Sequence, residues 1–251
     1  MKVITFLISI VLIFSLAGCD QEESKVEEYS DNSQYELYKT LREEREEATE
    51  VYYYNTGEEG SKIFIIGGTH GDERAGFLAA EKLLEFYPEK GEIIIIPRAN
   101  KKAVEINSRT ADNKIDLNRS YPGNPEGNNI EKLSYEIFSI IEEFEPDVII
   151  DLHESLDFHT EGRLGNSIIL GMEGDDLLKV LDLLEYINKV DKDVVEFTFF
   201  GSPPKNSLNQ SVSDMLYIPV YTVETSRKNE IDKRIKQQLL ITKKIIEMYQ
   251  D

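Results

Sequence analysis

Residues 62–73 read KIFIIGGTHGDE, an apolar run that ends in a glycine-rich turn with a histidine and two acidic residues. The run Ile63–Ile66 predicts a strand buried on both faces, because such strands are continuously apolar. From Asp72 to Tyr87 an apolar residue recurs every three or four positions, which predicts a helix. A strand that passes through a tight turn into a helix is the repeating unit of parallel α/β sheets.

The same alternation continues along the chain. It predicts an α/β fold with a mixed, mostly parallel β-sheet flanked by helices on both faces. The polar stretch between Pro97 and Gly127 has no periodicity, and a loop of that length inside a domain is usually functional. Further strands are predicted at Val51–Tyr54, Glu92–Ile96, Asp147–Leu152, Ser167–Leu170, Val194–Phe200 and Pro219–Val223, and further helices at Asn128–Phe144, Asp175–Asn188 and Asn229–Tyr249.

The N-terminus has the pattern of an export signal. Lys2 precedes an apolar run, Val3–Leu16, that is shorter than the roughly 20 residues a membrane span needs, so it is typical of a signal-peptide core. Residues 16–19 read LAGC, which is similar to a bacterial lipoprotein cleavage box and predicts lipidation of Cys19, the only cysteine. An uncleaved hydrophobic anchor is the alternative. Both interpretations place the protein outside the cytoplasm, attached to the cell membrane.

The sequence therefore divides into a signal peptide at residues 1–18, an acidic tether at 19–50 and a catalytic domain at 51–251. The tether is rich in charged and polar residues and too poor in apolar ones to form a core. Within it, the spacing of Tyr35, Tyr38 and Leu41 suggests a short helix.

The chain is strongly acidic, with a formal net charge of −20. This charge argues against nucleic acid as a partner and against docking on anionic phospholipid, because both need basic patches. It is compatible with cationic or zwitterionic substrates, and the alternative is that it confers only solubility or salt tolerance. Charge by itself therefore selects no function.

Two of the three histidines follow predicted strands and lie beside carboxylates. His70 falls in the turn after Ile63–Ile66, and Glu73, three residues later, can face the same ion. His153 follows Asp147–Leu152, so it belongs to the same crevice at the carboxyl ends of the strands. Two imidazoles and one carboxylate, with a position left for water, form the ligand set of a catalytic zinc site. We predict one zinc ion bound by His70, Glu73 and His153.

Two further residues complete this hypothesis. Glu224 follows the predicted strand Pro219–Val223, where a carboxylate can take a proton from zinc-activated water and deliver it to a leaving nitrogen. The alternative is a carboxylate at a strand end with no catalytic role. Asp151 lies two residues before His153 and can accept a hydrogen bond from its imidazole. His159 lies in a polar stretch and is not expected to bind the metal.

These residues resemble, in type and order, the zinc carboxypeptidase superfamily, which includes the succinylglutamate desuccinylase/aspartoacylase-like branch. The resemblance runs from Lys62 to the C-terminus and rests on four pieces: the pair His70 and Glu73, the segment DLNR at 116–119, His153, and Glu224. It implies a single-domain zinc-carboxypeptidase-like fold for residues 51–251.

The resemblance also implies roles for polar residues of the long loop. Asn118 and Arg119 match the pair that binds the free carboxylate of the substrate, and a guanidinium can pair with a carboxylate through two hydrogen bonds. Arg109 matches the arginine that stabilises the oxyanion, with Arg98 as the alternative. Gly201–Met215 corresponds in position to a specificity loop.

The function implied first is that of a membrane-anchored extracytoplasmic metallocarboxypeptidase acting on peptides or on peptidoglycan stem peptides. An N-acyl amino-acid deacylase is the alternative, which residues 119–123, RSYPG, favour because carboxypeptidases typically continue this motif differently. The substrate in either case is a small peptide or acyl amino acid with a free carboxylate. A more remote alternative is a non-catalytic lipoprotein that retains the metal and binds peptides.

Overall fold

An eight-stranded mixed sheet forms the centre of the protein in the computed structural model, which describes residues 34–45, 48–111, 114–157, 164–171, 175–190 and 196–250. The spatial order of the strands is β1-β2-β4-β3-β5-β8-β6-β7. The strands are β1 (Glu36–Leu41), β2 (Thr49–Asn55), β3 (Lys62–Gly67), β4 (Glu92–Ile96), β5 (Val148–Ser155), β6 (Ser167–Leu170), β7 (Thr198–Phe200) and β8 (Val220–Ser226).

The four central strands, β4, β3, β5 and β8, are parallel to one another. Antiparallel pairings join β2 to β4 on one side and β6 to β8 on the other. The carboxyl ends of β3, β5 and β8 therefore lie side by side, and this edge of an α/β sheet is where ligands bind. The mixed, mostly parallel sheet predicted from the sequence is confirmed.

Helices cover both faces of the sheet, also as predicted. Ile63 and Ile65 of β3 are fully buried in a cluster with one group of helices, and Phe64 and Ile66 are fully buried against another group. The first group comprises α1 (Arg74–Leu83), α4 (Asp175–Val190) and α6 (Ile231–Gln250), and the second comprises α3 (Asn129–Phe144) and α5 (Leu208–Leu216). A short helix, α2 (Lys101–Glu105), lies within the long polar segment.

The N-terminal part of the sheet corrects two predictions. Tyr38 and Leu41 lie in β1, which pairs antiparallel with β2, and not in a helix. The sheet therefore begins before Val51, inside the predicted tether at 19–50. Pairing with β2 and burial of the Leu41 side chain outweigh the local three-residue spacing, since tertiary contacts decide marginal segments. The predicted signal peptide and Cys19 lie outside the described residues.

The structure also changes the boundaries near the crevice. The segment Gly201–Met215, predicted as a loop, contains most of α5, which Ser207 caps by accepting a hydrogen bond from the backbone amide of Gln210. Strands β5 and β8 continue to Ser155 and Ser226, so they extend beyond their predicted ends. Within the described ranges, no helix combines the length and the apolar character that crossing a membrane requires.

Candidate metal centre

His70, Glu73 and His153 converge at the carboxyl edge of the sheet. All three side chains are buried, and each offers a ligand atom within 4.8 Å of the other two. His70 Nδ1 lies 2.8 Å from Glu73 Oε1, and His153 Nδ1 lies 2.7 Å from Glu73 Oε2. Each Nδ1 atom thus contacts a different oxygen of one carboxylate, and three residues that the sequence expected to converge do lie together.

The turn between β3 and α1 places two of these side chains. Gly68 has φ +69°, a left-handed conformation that glycine adopts without strain. A Cβ on Gly71 would lie 1.9 Å from the carbonyl oxygen of Ala103, so only glycine allows this close approach to α2. Glu73 occupies the N-cap position of α1, yet its side chain makes no capping hydrogen bond. Its carboxylate therefore points to the two imidazoles.

A second carboxylate holds the other nitrogen of each imidazole. His70 Nε2 lies 2.9 Å from Asp116 Oδ1, and His153 Nε2 lies 3.0 Å from Asp151 Oδ1. A proton on His70 Nε2 directed at Asp116 leaves the Nδ1 lone pair of His70 free to bind a cation. Asp151 thus lies beside His153, as predicted, but the contact is an ion-pair distance and not the hydrogen bond that the sequence suggested.

The charges around the centre favour a cation between the imidazoles. Burial by itself lowers the pKa of His153, but Asp151 and Glu73 outweigh it and raise that pKa well above its usual value. Burial favours protonation of Glu73, but the two imidazoles outweigh it and hold the pKa of Glu73 well below the usual range. The carboxylates thus favour positive charge at this centre, and two imidazole nitrogens with one carboxylate oxygen are a donor set that fits a divalent metal ion.

Glu224 lies inside β8, where it is the register partner of His153 on β5. Both residues were predicted to follow their strands, whereas the sheet continues past them and fixes their spacing through its hydrogen bonds. Glu224 is only 8% exposed, and burial raises its pKa to about 7, partly opposed by His153. A carboxyl group with a pKa near neutrality can both accept and return a proton.

A cavity of about 450 Å³ opens over the centre, and the predicted substrate-binding residues line it. Asn118 Oδ1 accepts a hydrogen bond from the backbone amide of Leu208, so its Nδ2 faces the opposite way and lies 3.4 Å from His153 Nε2. Arg119 lines the same cavity. The remaining lining residues include Ser155, Leu156, Asp157, Leu164, Gly165, Ile169, Pro204, Ser207 and Thr222.

The structure distinguishes the two arginines considered for the oxyanion. Arg109 lines the cavity, with Nη1 3.2 Å from Glu73 Oε1 and Nη2 donating to Asp116 Oδ2 at 2.9 Å. Arg98 is not among the lining residues and pairs with Glu81 of α1. Arg109 is therefore the arginine that the fold brings to the site.

Two residues of the site have no assignment from sequence. Asp116 begins the DLNR segment, but only its contact with His70 shows what it does, and those residues are 46 positions apart. Glu154 follows His153 directly and is buried. In the sequence, only their positions indicate a role. Glu154 is adjacent to His153, and Asp116 is two residues before Asn118. His159 lies outside the described residues.

A family model of the succinylglutamate desuccinylase/aspartoacylase catalytic domain matches residues 59–232. The chain is 37% identical over 99 residues to the N-alpha-acetyl-L-2,4-diaminobutyric acid deacetylase of Halomonas elongata, a match that covers 38% of this chain and 29% of that protein. It is 33% identical over 146 residues to the aspartoacylase of Danio rerio, covering 53% of this chain and 44% of that protein.

The fold has relatives among solved structures. A succinylglutamate desuccinylase from a Silicibacter species superposes with a TM-score of 0.65 at 18% sequence identity, covering 80% of this chain and 60% of that one. The matched regions span less than half the length of the two curated relatives.

Proposed function

The chain belongs to the succinylglutamate desuccinylase/aspartoacylase family, and on this basis we propose that it is a zinc-dependent hydrolase that removes the acyl group from an N-acyl amino acid with a free carboxylate. The observation that carries the proposal is the convergence of His70, Glu73 and His153 in one cavity with Glu224. The two curated relatives are a deacetylase and an aspartoacylase, so they favour deacylation over the carboxypeptidase activity that sequence analysis put first.

The ligand set supports zinc as the metal. Two imidazole nitrogens and one carboxylate are ligands that Zn²⁺ accepts in four-coordinate sites, and three protein ligands leave one position open. Asp116 orients the His70 imidazole, Asp151 lies beside that of His153, and Nδ1 of each imidazole contacts the Glu73 carboxylate. A zinc ion held there supplies a Lewis acid that polarises the scissile carbonyl and makes water more acidic.

Glu224 is the proposed general base and then the general acid. Its carboxylate removes a proton from the attacking water and later delivers that proton to the nitrogen of the leaving amino acid. This two-way transfer needs a pKa close to the working pH. Burial in the cavity raises the pKa of Glu224 to about 7, which meets that requirement.

Three polar residues of the cavity bind the substrate. Arg119 offers a guanidinium to the free carboxylate, and Asn118 offers its Nδ2. The hydrogen bond from the Leu208 amide to Asn118 Oδ1 fixes the side chain, so that Nδ2 points away from the Leu208 backbone. Arg109 is proposed to stabilise the negative charge that develops on the carbonyl oxygen, because its Nη1 lies beside the metal ligand Glu73. The substrate would thus be held with its carboxylate at Arg119 and its amide at the metal.

The test is a metal analysis of the purified protein followed by a substrate screen. Zinc should copurify, and N-acyl amino acids should release free amine in a reaction that a chelator stops and added zinc restores. Short peptides form the second arm of the screen, with products identified by mass spectrometry. Cleavage of peptides alone would support the carboxypeptidase, and tight peptide binding without turnover would support the non-catalytic lipoprotein. Absence of bound zinc would overturn both hydrolase proposals.

We also propose that a lipid on Cys19 anchors the protein outside the cytoplasm. The support is the LAGC sequence at 16–19 after an apolar run. Stable anchoring needs more than one acyl chain. The Cys19→Ser substitution should abolish incorporation of labelled fatty acid and move the protein out of the membrane fraction. Retention of Cys19→Ser in the membrane fraction without label would support an uncleaved hydrophobic anchor instead.

A further inference from the structure

We propose that the buried ion pair between Glu154 and Arg234 is a positioning device for the metal ligand Glu73. The proposal rests on the metal centre described above and adds to it a residue from α6, the last helix of the described chain. Glu154 lies on β5, Arg234 on α6 and Glu73 at the start of α1, so the pair joins three elements.

The start of α1 shows why Glu73 needs help from elsewhere. The first backbone amides of a helix lack partners within the helix, and the side chain at the N-cap normally accepts a hydrogen bond from one of them. At α1 the N-cap residue is Glu73, and its side chain makes no such bond. The amide of Ala75 instead donates to Glu154 Oε2 at 3.0 Å. Glu154 thus caps α1 from the neighbouring strand and leaves the carboxylate of Glu73 to the imidazoles.

Glu154 also fixes the side chain of Glu73 directly. The backbone amide of Glu154 donates to Glu73 Oε2 at 3.0 Å, and the same oxygen lies 2.7 Å from His153 Nδ1. One residue therefore holds both the helix on which Glu73 stands and one oxygen of its carboxylate. A change in the position of β5 relative to α1 would move the Glu73 carboxylate away from His153, which lies on β5.

Arg234 compensates the charge of the buried Glu154 carboxylate. The Glu154 side chain has 0% exposure, and that of Arg234 has 14%; Arg234 Nη1 bonds Glu154 Oε1. A buried carboxylate without a partner is strongly unfavourable, so the guanidinium is needed to keep Glu154 charged and in place. Because Ala75 and Arg234 occupy its two oxygens, the Glu154 carboxylate is not a further ligand or base. Its role is positioning.

The test measures metal binding, which does not depend on knowing the substrate. The variants are Glu154→Gln and Arg234→Gln, with Glu81→Gln as matched control, because Glu81 pairs with Arg98 at the opposite end of α1. Zinc affinity is measured by competition with a chromogenic chelator, and the geometry of the site by the visible spectrum after loading with Co²⁺. Thermal unfolding of the metal-free proteins reports folding.

We expect both Gln variants of the pair to bind zinc about 10–100-fold more weakly and to show an altered cobalt spectrum, as residues that orient metal ligands do. Glu81→Gln should match the wild type in both readouts. If the Gln variants do not fold, Glu154→Asp keeps the charge but withdraws the carboxylate from Ala75, and it should weaken zinc binding about tenfold or more. Wild-type affinity and spectrum in the folded variants would overturn the proposal. Failure of the wild type to bind zinc would instead overturn the metal centre itself.

Discussion

Replacing Asp116 by asparagine should weaken zinc binding without disturbing the fold. Asp116 Oδ1 lies 2.9 Å from His70 Nε2, and Oδ2 accepts from Arg109 at 2.9 Å. Partial burial favours protonation of Asp116, but His70 and Arg109 outweigh it and keep its pKa well below the usual range. In the proposed metal centre, this carboxylate would hold the His70 imidazole with Nε2 protonated and Nδ1 available to the metal.

The size of the effect follows from what asparagine retains. The side-chain oxygen of the asparagine can still accept one hydrogen bond, but the negative charge is lost. Its side-chain nitrogen is a donor and would face the Arg109 guanidinium, which offers only donors. Loss of a carboxylate that orients a metal-binding imidazole typically costs 10–100-fold in affinity. At about 1.4 kcal/mol for each factor of ten, we expect a loss of about 1.4–2.8 kcal/mol in zinc binding.

Zinc dissociation constants of wild type and Asp116→Asn, measured by chelator competition at constant pH, check this expectation. Asp147→Asn is the matched control, since Asp147 is exposed next to the amino end of β5, where its Oδ2 accepts a hydrogen bond from the backbone amide of Lys62. The control should bind zinc like the wild type. Equal affinity for Asp116→Asn and the control would refute the orienting role of Asp116.

Three other predictions concern the same centre. Glu224→Gln should retain zinc while turnover falls about 10²–10⁴-fold, because a carboxamide cannot transfer the proton; unchanged turnover would reject Glu224 as the base. Arg119→Met should raise KM with a smaller change in kcat, lowering kcat/KM about 10–100-fold, since a charge-assisted hydrogen bond contributes about 1.5–3 kcal/mol; an unchanged KM would contradict its role. Burial by itself lowers the pKa values of His70 and His153, but the neighbouring carboxylates outweigh it and raise both, so each imidazole must release a proton to bind metal. Zinc affinity should therefore fall as the pH is lowered, with proton release visible by calorimetry in buffers of different ionisation enthalpy; a pH-independent affinity would argue against it.

The sequence predicts the central strands of the sheet well because their hydrophobic patterns are unambiguous. Ile63–Ile66 and Glu92–Ile96 are short, almost wholly apolar runs, and burial on both faces leaves few other interpretations. His70 and His153 could be placed together because parallel strands end at a common edge. These inferences need only local patterns and the rule that relates them to the sheet.

The rest depends on contacts that local patterns do not contain. The segment 201–215 carries prolines and polar residues, yet α5 forms there because Leu208 and Val212 are buried against the sheet. Strand β1 exists because β2 pairs with it. The Asp116 side chain contacts a histidine 46 positions away, and the Arg234 side chain contacts a carboxylate on β5. Each of these is a long-range contact that only the folded chain defines.

The shared ladder of β5 and β8 has a consequence for how such proteins can diverge. His153 and Glu224 occupy paired rungs, and two further rungs follow before the strands end at Ser155 and Ser226. Segments inserted or exchanged beyond those ends can reshape the mouth of the cavity without shifting either side chain. Deleting one residue within β5, by contrast, would turn its side chains to the opposite face. We therefore expect new substrate preferences to arise from segments at the mouth of the cavity, while the paired strands β5 and β8 keep their lengths.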